Sequence, residues 1–571
     1  MCNTRLSWKR LAGPLLGAFL CSGLAATLPA QEPLTAAGSA NPRRVPRIIF
    51  NDDSDILRTV PTPHNVESLA IVVDYLKGTQ VDCLCWCVGE QQLAYSYASK
   101  VWESTFDRIA KGVRPDGGKD NLMYSLHRQG IDYLPHLIRR AHDQDLMFVA
   151  SFRMNDTHIK SYPNSELAPE FWKTHQHYRL WDATDAKSYY NAALDYSFPE
   201  VRNRYRDAIA EVAGKYDVDG LELDFTRSPY FFQPSEAWQK RQILTDFVHE
   251  IGQVLQRIGK QRGRSLTLIL RVASPERALT TAGIDLRQWI SEKLAPILII
   301  SELQNNYNQS LEPWRGLCRQ TGVLLYPAVE AGPAANAVHD FYSPLVRNPL
   351  APRHDGQVHG ITTEAWIRLQ RGAAQNLLAQ QPDGIATFNF ARAVDHATSL
   401  LKELGSLDTL ARKDKLYTFY KDLPIYIEAH RPRRYHQTIP FTVRGADLRD
   451  ATVTLRWRWL AEKNPHADGD FQQDPIVKSG LVDVYLNDSK IVESELKKAS
   501  APAGRIPSGF LLERHEIVEF QVPGRDLRDG ANSLAFEMPK FPNDRDPYIY
   551  VYNLDVLLTF GKDQVHSRDA P

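Results

Sequence analysis

Two carboxylates two residues apart, Glu222 and Asp224, stand in the run Asp217-Val218-Asp219-Gly220-Leu221-Glu222-Leu223-Asp224-Phe225-Thr226-Arg227-Ser228-Pro229. Its first half has the length and apolar content of a strand, and a helical pattern precedes it. Strand side chains alternate faces, so Val218, Gly220, Glu222 and Asp224 share one face, and Leu221, Leu223 and Phe225 the other. Carboxylates left unpaired on a buried face cost several kcal/mol. The bland account is a strand-end ion pair between Asp224 and Arg227. The chemical account is a carboxylate pair at the mouth of a barrel. Cleavage of a glycosidic bond needs such a pair: one carboxyl group gives a proton, the other attacks the sugar or activates water, and their environments hold their pKa values apart.

Such residues need strands to carry them, and the chain supplies a rhythm of them. Apolar runs of strand length occur at 47–52, 81–88, 146–152, 218–225, 266–272, 296–302, 323–330 and 384–390. Helical patterns at 121–144, 200–216, 235–259 and 363–381 fall between them, with Pro199 just before the first turn of the second. Strand and helix alternating in this way predict a (β/α)8 TIM barrel, and near-continuous apolar strands fit a parallel sheet covered by helices. A doubly wound open sheet is the competing architecture, but the turn after Phe50 lacks its glycine-rich signature. Most of these runs begin apolar and end polar, and barrels of this type build their sites from the C-terminal strand ends. Asn51, Asp52, Glu90, Arg153, Asn155, Glu222, Asp224, Arg271, Glu302, Glu330 and Asn389 are therefore expected to converge on one pocket. Asp52 and Asp53 resemble cation ligands in type, but neighbours on a strand face opposite ways. No P-loop and no HExxH occurs. The expectation is a site without metal or cofactor.

After Leu410 the pattern changes. Residues 413–423 read as a connecting helix, and 424–562 as an all-β, jelly-roll-like sandwich of short alternating runs parted by turn signals such as Leu486-Asn487-Asp488. Thr452, Thr454, Arg456 and Arg458 alternate with Val453, Leu455, Trp457 and Trp459, which predicts one wet face and one dry. Tyr548, Tyr550 and Tyr552 share a strand face and form the best candidate platform for stacking sugar rings; a domain that merely braces the barrel is the plainer alternative. Residues 563–571 read as a tail.

The 571 residues carry 68 Lys+Arg and 68 Asp+Glu, a formal net charge of zero, which argues against a global electrostatic grip on nucleic acid or an anionic membrane. The first 30 residues read as an export signal: Arg5, Lys9 and Arg10, an apolar stretch broken by Gly13, Pro14 and Gly23, and Ala30 before the cut. Residues 31–43 look like a linker leading into a barrel domain at 44–412. Leu20 is a poor neighbour for a lipidated Cys21, so an exported chain without a lipid anchor or a membrane span is expected. Cys83, Cys85 and Cys87 alternate on one strand face, point in parallel and are poorly placed for disulfides. They read, with Cys318, as thiols buried under a helix.

The run Ala193-Leu194-Asp195-Tyr196-Ser197-Phe198-Pro199-Glu200-Val201-Arg202, a helix, and then Tyr216 through Pro229 resembles the bacterial glycosyl hydrolase-like family with a family-ten-like barrel. The likeness spans residues 193–229, and the barrel order from 47 to 392 agrees with it; the sandwich is not covered. Glu222 stands where that family usually has His, which bears on substrate class and on how Glu222 and Asp224 divide the work. The resemblance implies a glycosidase acting on a carbohydrate, with Asp224 at the end of strand four as nucleophile and Glu302 at the end of strand six as acid/base. The other assignment takes Glu222 as acid and Glu330 as nucleophile. Arg227 would orient Asp224 or the substrate, and Arg153, Asn155, Tyr189 and Tyr190 would line subsites, while His158 reads as a loop histidine. Sugar identity, linkage and oligomeric state are not legible.

Overall fold

The computed structural model describes residues 45–58, 60–90, 94–110, 121–161, 168–181, 188–302, 306–312, 314–331, 357–358, 361–388, 390, 394–419, 425–427, 437–462, 477, 480–501, 504–505, 511–512, 515–538 and 548–561. The expected export signal and linker, and the tail after 561, lie outside these residues.

Eight strands form the first half: β1 (Ile48–Asp52), β2 (Val81–Glu90), β3 (Met147–Arg153), β4 (Gly220–Asp224), β5 (Thr267–Val272), β6 (Ile297–Ile300), β7 (Leu324–Glu330) and β8 (Ile385–Phe388). They pair in parallel in chain order, and β1 pairs with both β2 and β8, so the sheet closes into a (β/α)8 barrel. The strands read as unbroken apolar runs because both faces are covered. Ile49, Cys83, Cys85, Val149, Ile269, Ile299, Tyr326 and Ala386 fill the barrel interior. Phe50, Leu84, Trp86 and Phe148 point outward into the core shared with the helices. Gly220 sits where no side chain fits: a Cβ there would lie 2.2 Å from the carbonyl oxygen of Thr267.

The helices that matter for the site are α1 (Tyr133–His142), α2 (Pro199–Lys215), α3 (Arg241–Gln261), α4 (Trp314–Thr321) and α5 (Thr363–Leu378). Pro199 opens α2 at its first position, where a missing N–H costs nothing. The single helix expected over 121–144 is two, Leu122–Arg128 and Tyr133–His142, parted at Gly130, whose φ of +76° favours glycine. The cysteine expectation is corrected in place: Cys83, Cys85, Cys87 and Cys318 are free and buried, but Cys83 and Cys85 fill the barrel interior rather than packing under a helix.

The second half is two antiparallel sheets built from β9 (Lys415–Phe419), β10 (Ile425–Ile427), β11 (Gln437–Val443), β12 (Thr452–Glu462), β13 (Asp483–Leu486), β14 (Lys497–Ala501), β15 (His515–Pro523), β16 (Gly530–Glu537) and β17 (Tyr548–Thr559). One sheet runs β9-β17-β12-β15-β14, with β10 also on β17; the other runs β11-β16-β13 and ends on the two-residue strand Ser489–Lys490. Trp457 of the first sheet meets Phe536 of the second edge-on at 5.8 Å. Within the connecting helix expected at 413–423, residues 415–419 are instead β9, buried along its whole length and paired antiparallel with β17, while 420–423 lie outside the described residues. The expected wet face of β12 is also corrected. Arg458 is 2% exposed and Thr454 is buried, because this face holds a polar layer. In that layer Asp555 lies across from Arg456 and Thr418. Burial pushes the Asp555 carboxyl up to about 6 against the pull of Thr418 and of Arg458 and Arg456. Tyr552 is buried and Tyr550 half-buried, and the Tyr548 side chain lies outside the described residues, so an exposed platform of three rings is not found. Among the described residues no helix is long and apolar enough to cross a membrane.

Candidate active site at the strand ends

Alternation along each strand decides which polar residues enter the barrel. On β1, Ile49 faces inward, and Asn51 follows it. Asp52 points the other way: it takes the backbone N–H of Ser54 at 2.8 Å and lies near Tyr75, whose hydroxyl pKa is raised by burial and then by the Asp52 charge. The expectation that Asp52 lines the pocket is therefore corrected. Its neighbour Asp53 lines it instead, which the same alternation from Ile49 would have found.

The floor is an ionic centre. Glu222 is fully buried; its Oε1 accepts from Arg271 Nε at 2.8 Å and its Oε2 from Asn51 Nδ2 at 3.2 Å. Burial pushes the Glu222 carboxyl up, Arg271 pulls it back, and the charge of Asp224 pushes it up again, with a net rise. Burial works against the Arg271 charge, but Glu222 and Asp224 outweigh it and raise its pKa. The ring of Phe388, at the end of β8, lies 5.2 Å from the Arg271 guanidinium and 5.1 Å from that of Arg227.

Asp224 stands one tier above Glu222. In the sheet it lies between Arg153 on β3 and Arg271 on β5. Its Oδ1 accepts the Thr226 backbone N–H at 2.8 Å and the Thr226 hydroxyl at 2.5 Å. No described residue donates to Oδ2. No ion pair joins Asp224 to Arg227, which disposes of the bland account.

A second ionic centre rims the mouth. Arg153 bridges two carboxylates, Asp53 at 2.6 Å and Asp156 at 2.5 Å. Burial would push both up, yet the groups around them win and hold both below the ordinary carboxylate range: the charges of Arg153 and Arg227 for Asp53, and the charge of Arg153 with the hydrogen bonds from His158 for Asp156.

The remaining candidates fall in three groups. Glu330 closes β7 and is buried, and Glu302 lies just past β6, half-buried, accepting from Asn306 Nδ2 at 3.3 Å. Asn155 and Tyr190 hold loops rather than line a subsite. The Asn155 amide accepts from Leu194 N at 3.0 Å and donates to Leu194 O at 2.9 Å and to Tyr230 O, and the Tyr190 hydroxyl donates to Phe232 O. The side chains of Glu90 and Tyr189, and all of Asn389, lie outside the described residues. Asp53, Asp156, Thr226 and Phe388 are site residues that sequence reasoning missed. Among the described residues no group of three or more His, Cys, Asp or Glu is arranged to hold a metal ion.

A separate cleft of about 860 Å³ lies off the mouth. It is bounded by the segment after β2, the helix Glu170–Thr174 and α2, and Arg204 is sandwiched there between Trp102 and Phe171, 3.8 and 4.2 Å from their rings. Those ring faces already stack on the arginine, and the strand-end carboxylates are not among its walls.

No family model matches the chain, and no curated protein matches it in sequence. Among solved structures the fold is similar to a cycloisomaltooligosaccharide glucanotransferase of Paenibacillus sp., at 10% identity and TM-score 0.33, over 90% of this chain and 58% of that one. It is similar to a family 18 N-acetylglucosaminidase of Paenibacillus barengoltzii, at 12% identity and TM-score 0.33, over 62% of this chain and 99% of that one. It is similar also to a family 18 chitinase of Chromobacterium violaceum, at 11% identity and TM-score 0.34, over 90% and 88%.

Proposed function

We propose that this chain is an exported glycoside hydrolase that cleaves O-glycosidic bonds of a poly- or oligosaccharide, with Asp224 as nucleophile and Glu302 as acid/base. One observation carries the reading: Asp224 ends an interior strand face with one oxygen held by Thr226 and the other unclaimed by any described residue. A carboxylate fixed by one oxygen presents the second in a set direction, which a nucleophile needs. In the first step Oδ2 of Asp224 forms a bond to the anomeric carbon, and the bond to the leaving oxygen breaks. That oxygen keeps the electron pair and takes a proton from Glu302. In the second step water, deprotonated by Glu302, displaces Asp224. Glu222, tied to Arg271 and Asn51, sets the charge of the floor and does not move a proton.

The raised pKa of Glu222 favours a second division of labour, in which Glu222 gives the proton and Glu330 attacks. One experiment separates the two. Release of reducing ends from a broad polysaccharide panel is measured for the mature chain beside its Asp224→Asn variant. Under the first reading the variant loses about a thousandfold or more, the order of a lost catalytic carboxylate. Hydrolysis unchanged in the variant assigns the work to Glu222 and Glu330. Sugar binding without any hydrolysis, unaltered in the variant, makes the chain a glycan-binding protein on a barrel that has lost its chemistry.

A further inference from the structure

His158 stands on the rim as the last member of a chain of charged groups. Asp53 holds Arg153, Arg153 holds Asp156, and Asp156 accepts from His158 Nδ1. Asp156 is fully buried, while the His158 side chain is 49% exposed. Burying that carboxylate does not require the imidazole. One Asp156 oxygen has Arg153 Nη1, and the other already accepts the backbone N–H of His158 at 2.9 Å. The ring adds only its own orientation, and fixing an exposed side chain costs entropy. Neighbouring bonds fix the loop as well. The Thr157 and Ser228 hydroxyls meet at 2.5 Å, which ties the segment after β3 to the residue following Arg227, and Asn155 pins the same segment to Leu194.

Asp156 is ionised, since Arg153 and His158 outweigh its burial. An ionised carboxylate only accepts, so the proton of the neutral imidazole must sit on Nδ1. In this half-exposed ring Nε2 then carries a lone pair, and no described residue donates to it. We propose that His158 is a substrate-contacting residue whose tautomer-locked Nε2 accepts a hydrogen bond from a sugar hydroxyl bound beside Asp224. The inference rests on the glycosidase reading for the class of ligand and on the rim geometry for the residue. A purely structural histidine would serve Asp156 alone.

The test uses the full mature chain and a sugar found on the polysaccharide panel. His158→Gln keeps a polar group at the place of Nε2, whereas His158→Asn keeps one only at the place of Nδ1. Dissociation constants are measured by calorimetry in the Asp224→Asn background, and kcat and KM in the active chain. The expected result is a rise in Kd and KM of about three- to tenfold for His158→Asn, the usual worth of one hydrogen bond, with kcat within about twofold and recovery in His158→Gln. Thermal unfolding of each variant is recorded beside it. Unchanged Kd and KM in His158→Asn, with or without a fall in Tm, overturns the proposal and leaves a structural role. A sugar that is bound but never hydrolysed overturns the glycosidase reading, and the Kd series still decides His158. Failure of every sugar on the panel to bind overturns both.

Discussion

At the scale of the residue, the interior of the mouth is organised by arginines more than by acids. Arg271 compensates Glu222, and Arg153 compensates Asp53 and Asp156, in each case at ion-pair distance and out of solvent. Bringing such charges out of water is expensive, and breaking a buried pair costs more than never having made it. Asp224 differs, in that its one fixed oxygen is held by neutral donors. The contrast separates the two carboxylates that look alike in the chain. Arg271→Met should strand the Glu222 charge and destabilise the fold by about 3–5 kcal/mol in urea unfolding. The double variant Glu222→Leu with Arg271→Met should regain most of that loss. If the double variant is no better than the single, the pair is not the compensated unit described above.

At the scale of the element, β4 is clamped at its entry end as firmly as it is charged at its exit. Asp219 Oδ2 accepts from Phe148 N at 2.8 Å and pairs with His142 Nε2 at 2.9 Å, and Oδ1 takes Arg264 at 3.0 Å. His142 ends α1, so the helix macrodipole adds to the Asp219 bond in favouring its charged form. The Asp219 hydrogen bond raises the His142 pKa above its ordinary value, with burial opposing. A raised histidine contributes stability that is fully present below its unfolded pKa and is lost as pH rises through the folded one. The stability gap between the wild type and His142→Gln should therefore be larger at pH ~5.5 than at pH ~9 in denaturant melts. A gap that does not narrow toward alkaline pH refutes the charged clamp. The elements themselves were legible because parallel barrel strands are buried on both faces and show as apolar runs with polar ends. Which residue of a polar end turns inward was harder to read. Asn51 and Asp53 follow the parity of Ile49 and Asp52 breaks it, but partners such as Arg153 come from strands far away in the chain. Residues 415–419 were misread because Leu416, Tyr417, Phe419 and Tyr420 fit a helical stripe as well as a strand, and only pairing with β17 decides.

At the scale of the whole molecule, the sandwich is joined to the barrel through α5 and the loop before α4. The contact is close: a Cβ at Gly372 of α5 would lie 2.3 Å from the carbonyl oxygen of Leu416 on β9. Tyr307 packs edge-on against Tyr417 and Phe419 at 5.9 and 6.0 Å. One amide ties the pieces together. Asn376, 2% exposed, donates to Tyr307 O at 2.8 Å and to Thr442 O at 2.7 Å, and its oxygen accepts from Arg444 N at 2.9 Å. Two of those partners belong to the sandwich side and one to a barrel loop, and the bond to Tyr307 is buried. The described residues of barrel and sandwich belong to one compact unit, so the two should melt together in a single calorimetric transition. Asn376→Leu keeps the volume but leaves buried backbone groups without partners, at about 1–3 kcal/mol for each group that stays dry. The expected outcome is a lower first transition and a second, separate one, as the seam yields before either core. A variant that still melts in one transition at an unchanged temperature would mean that the apolar contact of Tyr307 with β9, rather than this amide, couples the two halves.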